Sequence, residues 1–120
     1  MTLPALFVSH GAPNVILYDG PTRQFLAGLG AELGRPRAIV AISAHWEART
    51  PTVNATVQPK TIHDFFGFEP PLYEMNYPAP GAPELAREVA RRIESAGMRA
   101  VVDDARGLDH GVWAPLKLMY

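Results

Sequence analysis

Residues 37–44 form a run in which apolar and β-branched side chains follow one another almost without interruption. Such a run is typical of a β-strand that is covered on both faces, as in a parallel sheet. A shorter apolar run precedes it at residues 5–9. Between the two runs lies a helical stretch, in which Pro21 suits the first turn and Gly34 the end. Strands separated by helices predict an α/β domain with a largely parallel sheet flanked by helices.

The rest of the chain continues this alternation. The pattern predicts helices over residues 22–33 and 82–96, an edge strand over 52–58, a strand over 99–103 and the start of a final helix over 113–120. Prolines are frequent between residues 59 and 81 and predict a long irregular loop there. Loops of that length inside a compact domain usually carry function.

Composition excludes several classes of site and partner. A length of 120 residues fits one domain, and a net charge of -1 offers no basic surface for nucleic acid or an anionic membrane. Cysteine is absent, so any metal must be held by nitrogen and oxygen ligands. The N-terminal residues contain no recognisable targeting signal, and a cytoplasmic protein is expected.

Two histidines, His10 and His45, each close one of the apolar runs. Side chains at the carboxyl ends of parallel strands point into the crevice where α/β sheets bind ligands, and neutral imidazole is the commonest metal ligand. Together these residues predict the beginning of a metal site. Glu47 follows two residues after His45 and could add a carboxylate, although a solvated loop acid is an equally good interpretation.

Two further histidines lie beside groups that could assist chemistry. His63 and Asp64 adjoin three phenylalanines in residues 61–68, which could form the floor of a pocket for a flat aromatic substrate or anchor the loop. His110 follows Asp109, which could orient the imidazole or cap a helix. His110 itself could polarise a substrate oxygen, or it could belong to the cap and core.

Five motifs occur in a fixed order along the chain. They are SHGAP at residues 9–13, SAHWE at 43–47, TIHDF at 61–65, YPAPG at 77–81 and LDHGVW at 108–113. In order and approximate spacing they resemble the DODA-type extradiol aromatic ring-opening dioxygenases, the DOPA 4,5-dioxygenase-like proteins of the class III extradiol (protocatechuate 4,5-dioxygenase) superfamily. The resemblance runs from about residue 6 to residue 120. Glu69 stands where the family usually has proline, which affects the local path of the loop.

The resemblance implies an activity and a set of residue roles. The implied reaction is the extradiol opening of a catechol such as DOPA with O2 at a non-haem metal. The resemblance implies Fe(II) as the catalytic metal, with Zn(II) possible in the same site. By position, His10 and His45 resemble two metal ligands of the family. His110 resembles the catalytic histidine close to substrate and dioxygen.

The resemblance also implies a substrate pocket and a larger protein. His63, Asp64 and Trp113 are predicted to bind the substrate. Members of the family are about twice as long, so residues 1–120 are expected to be the N-terminal half of a larger single α/β catalytic domain. The other half is expected to supply a further metal ligand and a catalytic base. The chain alone is therefore expected to be inactive or nearly so, and its incomplete sheet favours a homo-oligomer.

Two other functions remain open at this point. In the first, His10, His45 and either His110 or Glu47 form the three-ligand site of a zinc hydrolase that leaves one position for water. In the second, the chain is a non-catalytic half-domain that binds a partner through its exposed sheet edge.

Overall fold

Two short parallel strands join the middle of the chain to its C-terminal third in the computed structural model, which describes residues 2–120. Strand β1 is Thr52–Asn54 and strand β2 is Val101–Asp103, with Val53 opposite Val102. The pairing extends by one hydrogen bond beyond β1, where the backbone N–H of Ala55 donates to Asp103 O at 2.7 Å. The parallel pairing and the flanking helices confirm the predicted α/β class.

Four α-helices and one short 3-10 helix surround this pair. The helices are α1 (Pro21–Leu33), α2 (Pro70–Glu74), α3 (Pro83–Ser95) and α4 (His110–Met119), and the 3-10 helix is Pro13–Ile16. Proline opens α1, α2 and α3 because the first residue of a helix needs no N–H donor. Within residues 2–120, no helix is both long and apolar enough to cross a membrane.

Two helices differ from the sequence prediction. Helix α2 lies inside the segment 59–81 that was predicted to be irregular, because a pair of prolines there starts a helical turn rather than preventing it. Helix α4 begins at His110 rather than at residue 113, because the Asp109 side chain caps it by accepting the backbone N–H of Gly111.

The two apolar runs at residues 5–9 and 37–44 are not strands, so these predictions are wrong for the described chain. Neither run has a strand partner within residues 2–120, and a β-strand exists only when a neighbour pairs with its N–H and C=O groups. Their apolar side chains are largely exposed as a result: Phe7 is 101% and Ile42 is 97% exposed.

The predicted strands at 52–58 and 99–103 are real but shorter. Strand β1 ends at Asn54 because the Asn54 side chain accepts the backbone N–H of Thr56 at 2.9 Å, which turns the chain. Strand β2 covers only the last three residues of its predicted range.

The hydrophobic core lies around the first half of α4. Trp113 and Ala114 are fully buried and pack with Ile16 and Leu72. The indole N–H of Trp113 donates to the carbonyl oxygen of Ile62 at 2.8 Å, so the ring is fixed by packing and by a hydrogen bond. This core holds the beginning of α4 against residues 61–68.

Helices α1 and α4 make the most extensive contact between elements. At the point of closest approach, a Cβ atom on Gly30 would overlap the backbone of Met119. The two helices therefore require a residue without a side chain at position 30.

Replacing this glycine should weaken the fold. Gly30→Ala is expected to destabilise the chain by about 1–3 kcal/mol, because the added methyl group forces the helices apart. Gly28→Ala in the same helix is the matched control, since a Cβ there meets no atom within 4 Å. It should stabilise the chain by about 0.5–1 kcal/mol through helix propensity. Urea denaturation of both variants measures the difference, and equal stabilities would contradict the proposed close contact.

Candidate metal centre

Three histidines from separate parts of the chain converge at one place. The Nε2 atoms of His10 and His45 lie 3.0 Å apart, and the His110 ring lies 4.2 Å from the His45 ring and 5.2 Å from the His10 ring, measured between centroids. One ring nitrogen from each residue falls within 4.8 Å of the other two. His10 and His45 follow the two apolar runs, whereas His110 is the first residue of α4.

The donor set fits a divalent transition metal. Two metal–nitrogen bonds of about 2.1 Å that meet at a right angle place their nitrogens about 3.0 Å apart. The Nε2 atoms of His10 and His45 have this separation. It also suits a hydrogen bond between two neutral rings, so the third imidazole is the observation that favours a metal. An all-imidazole set is suitable for zinc, iron, copper or nickel.

The environment of His10 favours its neutral form. Burial lowers the pKa of His10, and the positive charges that His110 and His45 could carry lower it further. A metal binds the neutral imidazole, so the surroundings of His10 favour the protonation state that a ligand needs.

Asp64 supports His110 from the loop at residues 61–68. Its Oδ1 atom accepts the backbone N–H of His110 at 2.9 Å, and its Oδ2 atom lies 2.9 Å from Nδ1 of the same residue. Burial raises the pKa of Asp64, but the hydrogen bonds from His110 outweigh it and leave this pKa below its ordinary value. The carboxylate therefore stays charged and lies beside Nδ1, which leaves Nε2 as the His110 nitrogen available to a metal or a substrate.

The remaining predicted substrate residues lie in an aromatic cluster behind this contact. Nε2 of His63 bonds the carbonyl oxygen of Met75 at 2.8 Å, and the His63 ring lies 5.8 Å from the Trp113 ring. Trp113 is fully buried. The structure thus places Asp64 against His110, and it places His63 and Trp113 in the packing layer behind this contact.

Phe65 connects the two layers, with its ring 5.6 Å from the His110 ring. The sequence allows two interpretations of Phe65, as part of a pocket floor or as an anchor of the loop. Its position next to the TIHD residues is the only sequence signal for a role near the site. Glu47, the alternative carboxylate ligand, is exposed and does not belong to the cluster.

Ser43 was missed as a functional candidate. Its hydroxyl donates to Asp109 Oδ1 at 2.7 Å and accepts the backbone N–H of His45 at 3.1 Å. Its place two residues before a histidine, at the end of an apolar run, was the only available signal.

The fold and the cluster together define an α/β protein with three converging imidazoles that could hold a metal ion. Residues 4–120 match the family model described as the catalytic LigB subunit of aromatic ring-opening dioxygenase. Because this match covers nearly the whole chain, the chain belongs to that family. This result confirms the family to which the five sequence motifs pointed.

Several relatives match this chain over nearly its whole length. The chain is 44% identical to a 4,5-DOPA dioxygenase extradiol of Beta vulgaris over 118 residues, which cover 95% of this chain and 44% of that protein. It is 44% identical to a protein of the same name in Escherichia coli (strain K12), covering 98% of this chain and 43% of that protein. A protein named dioxygenase tasH in Hapsidospora irregularis is 39% identical, with 93% and 32% covered. The chain thus spans less than half the length of these relatives.

Gly111 gives a direct test of how tightly the centre is packed. A Cβ atom on this glycine would lie 2.6 Å from Ser43 Oγ and 2.7 Å from His45 Cδ2. Gly111→Ala should therefore displace His45 and weaken Zn(II) binding by about 10–100-fold, the range found when the support of a metal ligand is lost. Competition with a chromophoric chelator measures the affinity. Gly28→Ala is the control, and an unchanged affinity in Gly111→Ala would show that the centre tolerates this displacement.

Proposed function

We propose that this chain carries the metal-binding histidines of an extradiol dioxygenase that opens the ring of a catechol with O2. The convergence of His10, His45 and His110 is the observation that carries the proposal. Membership of the aromatic ring-opening dioxygenase family supports it.

In this proposal two of the histidines bind the metal and the third acts on the substrate or dioxygen. His10 and His45 hold the metal, for which Fe(II) is proposed in catalysis, with Zn(II) able to occupy the same site. The metal would supply the electron transfer between a catechol and dioxygen that organic side chains cannot perform. His110 acts next to the reacting oxygens.

The contact with Asp64 suits His110 for proton transfer. When Nε2 takes up a proton, the negative charge of Asp64 beside Nδ1 balances the positive charge of the ring. The protonated Nε2 can then donate a hydrogen bond to an oxygen of the substrate or of dioxygen, where negative charge develops.

The aromatic layer provides a wall for a flat substrate. Phe65 presents its ring beside His110, while Trp113 and His63 fix Phe65 from behind. In this way Asp64, His63 and Trp113 support substrate binding through the residues in front of them. DOPA is the proposed substrate because relatives from three of the matching plants and from Escherichia coli carry DOPA in their names.

The proposal extends to the compartment, the partners and the self-association of the enzyme. The enzyme is proposed to act in the cytoplasm on a small aromatic molecule and O2, without nucleic acid or membrane partners. Self-association is proposed as well, because the exposed apolar runs at residues 5–9 and 37–44 offer unpaired edges to a second chain.

A zinc hydrolase is the second candidate, and the closeness of all three imidazoles favours it. Three histidines around zinc with an open position for water would form a complete hydrolytic site. The two functions differ in the role of His110, which is a ligand in the hydrolase and a proton donor in the dioxygenase.

Metal binding by histidine variants separates these roles. His10→Ala and His45→Ala should each abolish tight Co(II) binding, measured from the visible absorption of bound cobalt. His110→Ala should retain most of the binding if His110 is a donor, and should lose it if His110 is the third ligand. His63→Gln is the control, because its ring bonds a backbone carbonyl outside the cluster. Binding that survives both His10→Ala and His45→Ala would contradict the proposed centre.

Ring opening is best tested in a hybrid enzyme. The chain would replace the matching part of the Escherichia coli relative, so that the remainder of that protein supplies whatever lies outside this chain. With Fe(II) and DOPA, the hybrid should consume O2 and form a yellow semialdehyde product, and His110→Ala should lower turnover by about 10²–10⁴-fold. A folded hybrid that binds Fe(II) but consumes no O2, or that hydrolyses esters instead, would overturn the dioxygenase proposal.

A further inference from the structure

The segment that carries His45 has little backbone support. Residues 37–44 pair with no strand in the described chain, and the one backbone hydrogen bond at this end joins Trp46 N to Ser43 O at 3.4 Å. The His45 ring nevertheless lies in contact distance of the other two histidines. Side-chain contacts must therefore hold this segment in place.

Asp109 makes the central contact. Its carboxylate is buried, with 2% of the residue exposed, and Oδ1 accepts both the Ser43 hydroxyl at 2.7 Å and the Gly111 N–H at 2.9 Å. Ser43 in turn accepts the backbone N–H of His45 at 3.1 Å. A continuous chain of hydrogen bonds thus leads from the backbone of His45 to the residue that precedes His110.

Arg106 reinforces the same connection on the other side of the carboxylate. Its guanidinium lies 3.4 Å from Asp109 Oδ2 and also covers the Trp46 ring at 4.9 Å from the centroid. A buried carboxylate is costly unless it meets an opposite charge. Arg106 supplies that charge and, through Trp46, contacts the residue directly after His45.

We propose that Asp109 is a positioning residue for the metal centre, which holds the His45 imidazole in register with His10 and His110 through Ser43. The inference rests on the proposed metal site, and it goes beyond that site by assigning a role to two residues that bind no metal. Residues that support metal ligands in this way typically change metal affinity by about 10–100-fold when they are removed.

Ser43→Ala tests the link without disturbing the helix cap. Asp109 still accepts the Gly111 N–H in this variant, so helix content and thermal unfolding should stay close to those of the parent chain. Co(II) affinity should fall by about 10–100-fold, with a changed visible spectrum because His45 is no longer held at its place. Ser9→Ala is the matched control: Ser9 precedes His10 but is exposed, and its replacement should leave affinity and spectrum unchanged.

Variants of Asp109 then separate its acceptor oxygen from its charge. Asp109→Asn keeps an oxygen for Ser43 and Gly111 and should retain most of the Co(II) affinity, whereas Asp109→Ala should lose it. If Asp109 only capped α4, Ser43→Ala would change the Co(II) affinity little. Comparison of Ser43→Ala with Asp109→Ala therefore distinguishes positioning from capping.

The outcomes also separate this inference from the proposed function. If the parent chain binds Co(II) in a histidine-dependent manner and Ser43→Ala binds it equally well, the positioning role is overturned and the metal centre stands. If neither the parent chain nor the hybrid enzyme shows histidine-dependent binding, both are overturned.

Discussion

The first turn of α4, together with its cap residue Asp109, is the constraint on which the rest of the site depends. Its residues are consecutive, yet each meets a different part of the chain: Asp109 receives the segment before His45, and His110 meets the loop at residues 61–68. Gly111 has no side chain and so admits the His45 ring. The burial of Trp113 at the end of this turn fixes the arrangement, because a helix whose first turn is anchored in the core cannot rotate without breaking that packing.

The sequence indicated which histidines converge better than it predicted the strands around them. His10 and His45 were recognised because each closes an apolar run, and the structure does bring their rings together. The runs at residues 5–9 and 37–44 were wrongly predicted as strands, since the periodicity of a segment describes what it could pair with and not whether a partner is present. The prediction of an α/β class is confirmed because β1 and β2 pair with each other in parallel.

Long-range contacts account for what the sequence could not provide. Asp64 was recognised as a neighbour of aromatic residues, but its contact with His110 joins residues that are far apart in the chain. The cap formed by Asp109 is local and was one of the two roles considered for it, whereas its bond to Ser43 is not local. Local sequence signals indicate caps and helix starts. The hydrogen bonds that hold the site residues in place join distant parts of the chain, so they are seen only in the folded structure.

The exposed runs at residues 5–9 and 37–44 lead directly into His10 and His45. Any polypeptide that paired with these runs would restrict the same backbone that carries the two imidazoles. By thermodynamic linkage, sheet completion would then tighten metal binding, and a bound metal would strengthen sheet completion by the same free energy. Assembly of the sheet and loading of the centre would then support each other, so that the metal is held more firmly once the protein surface around it has closed.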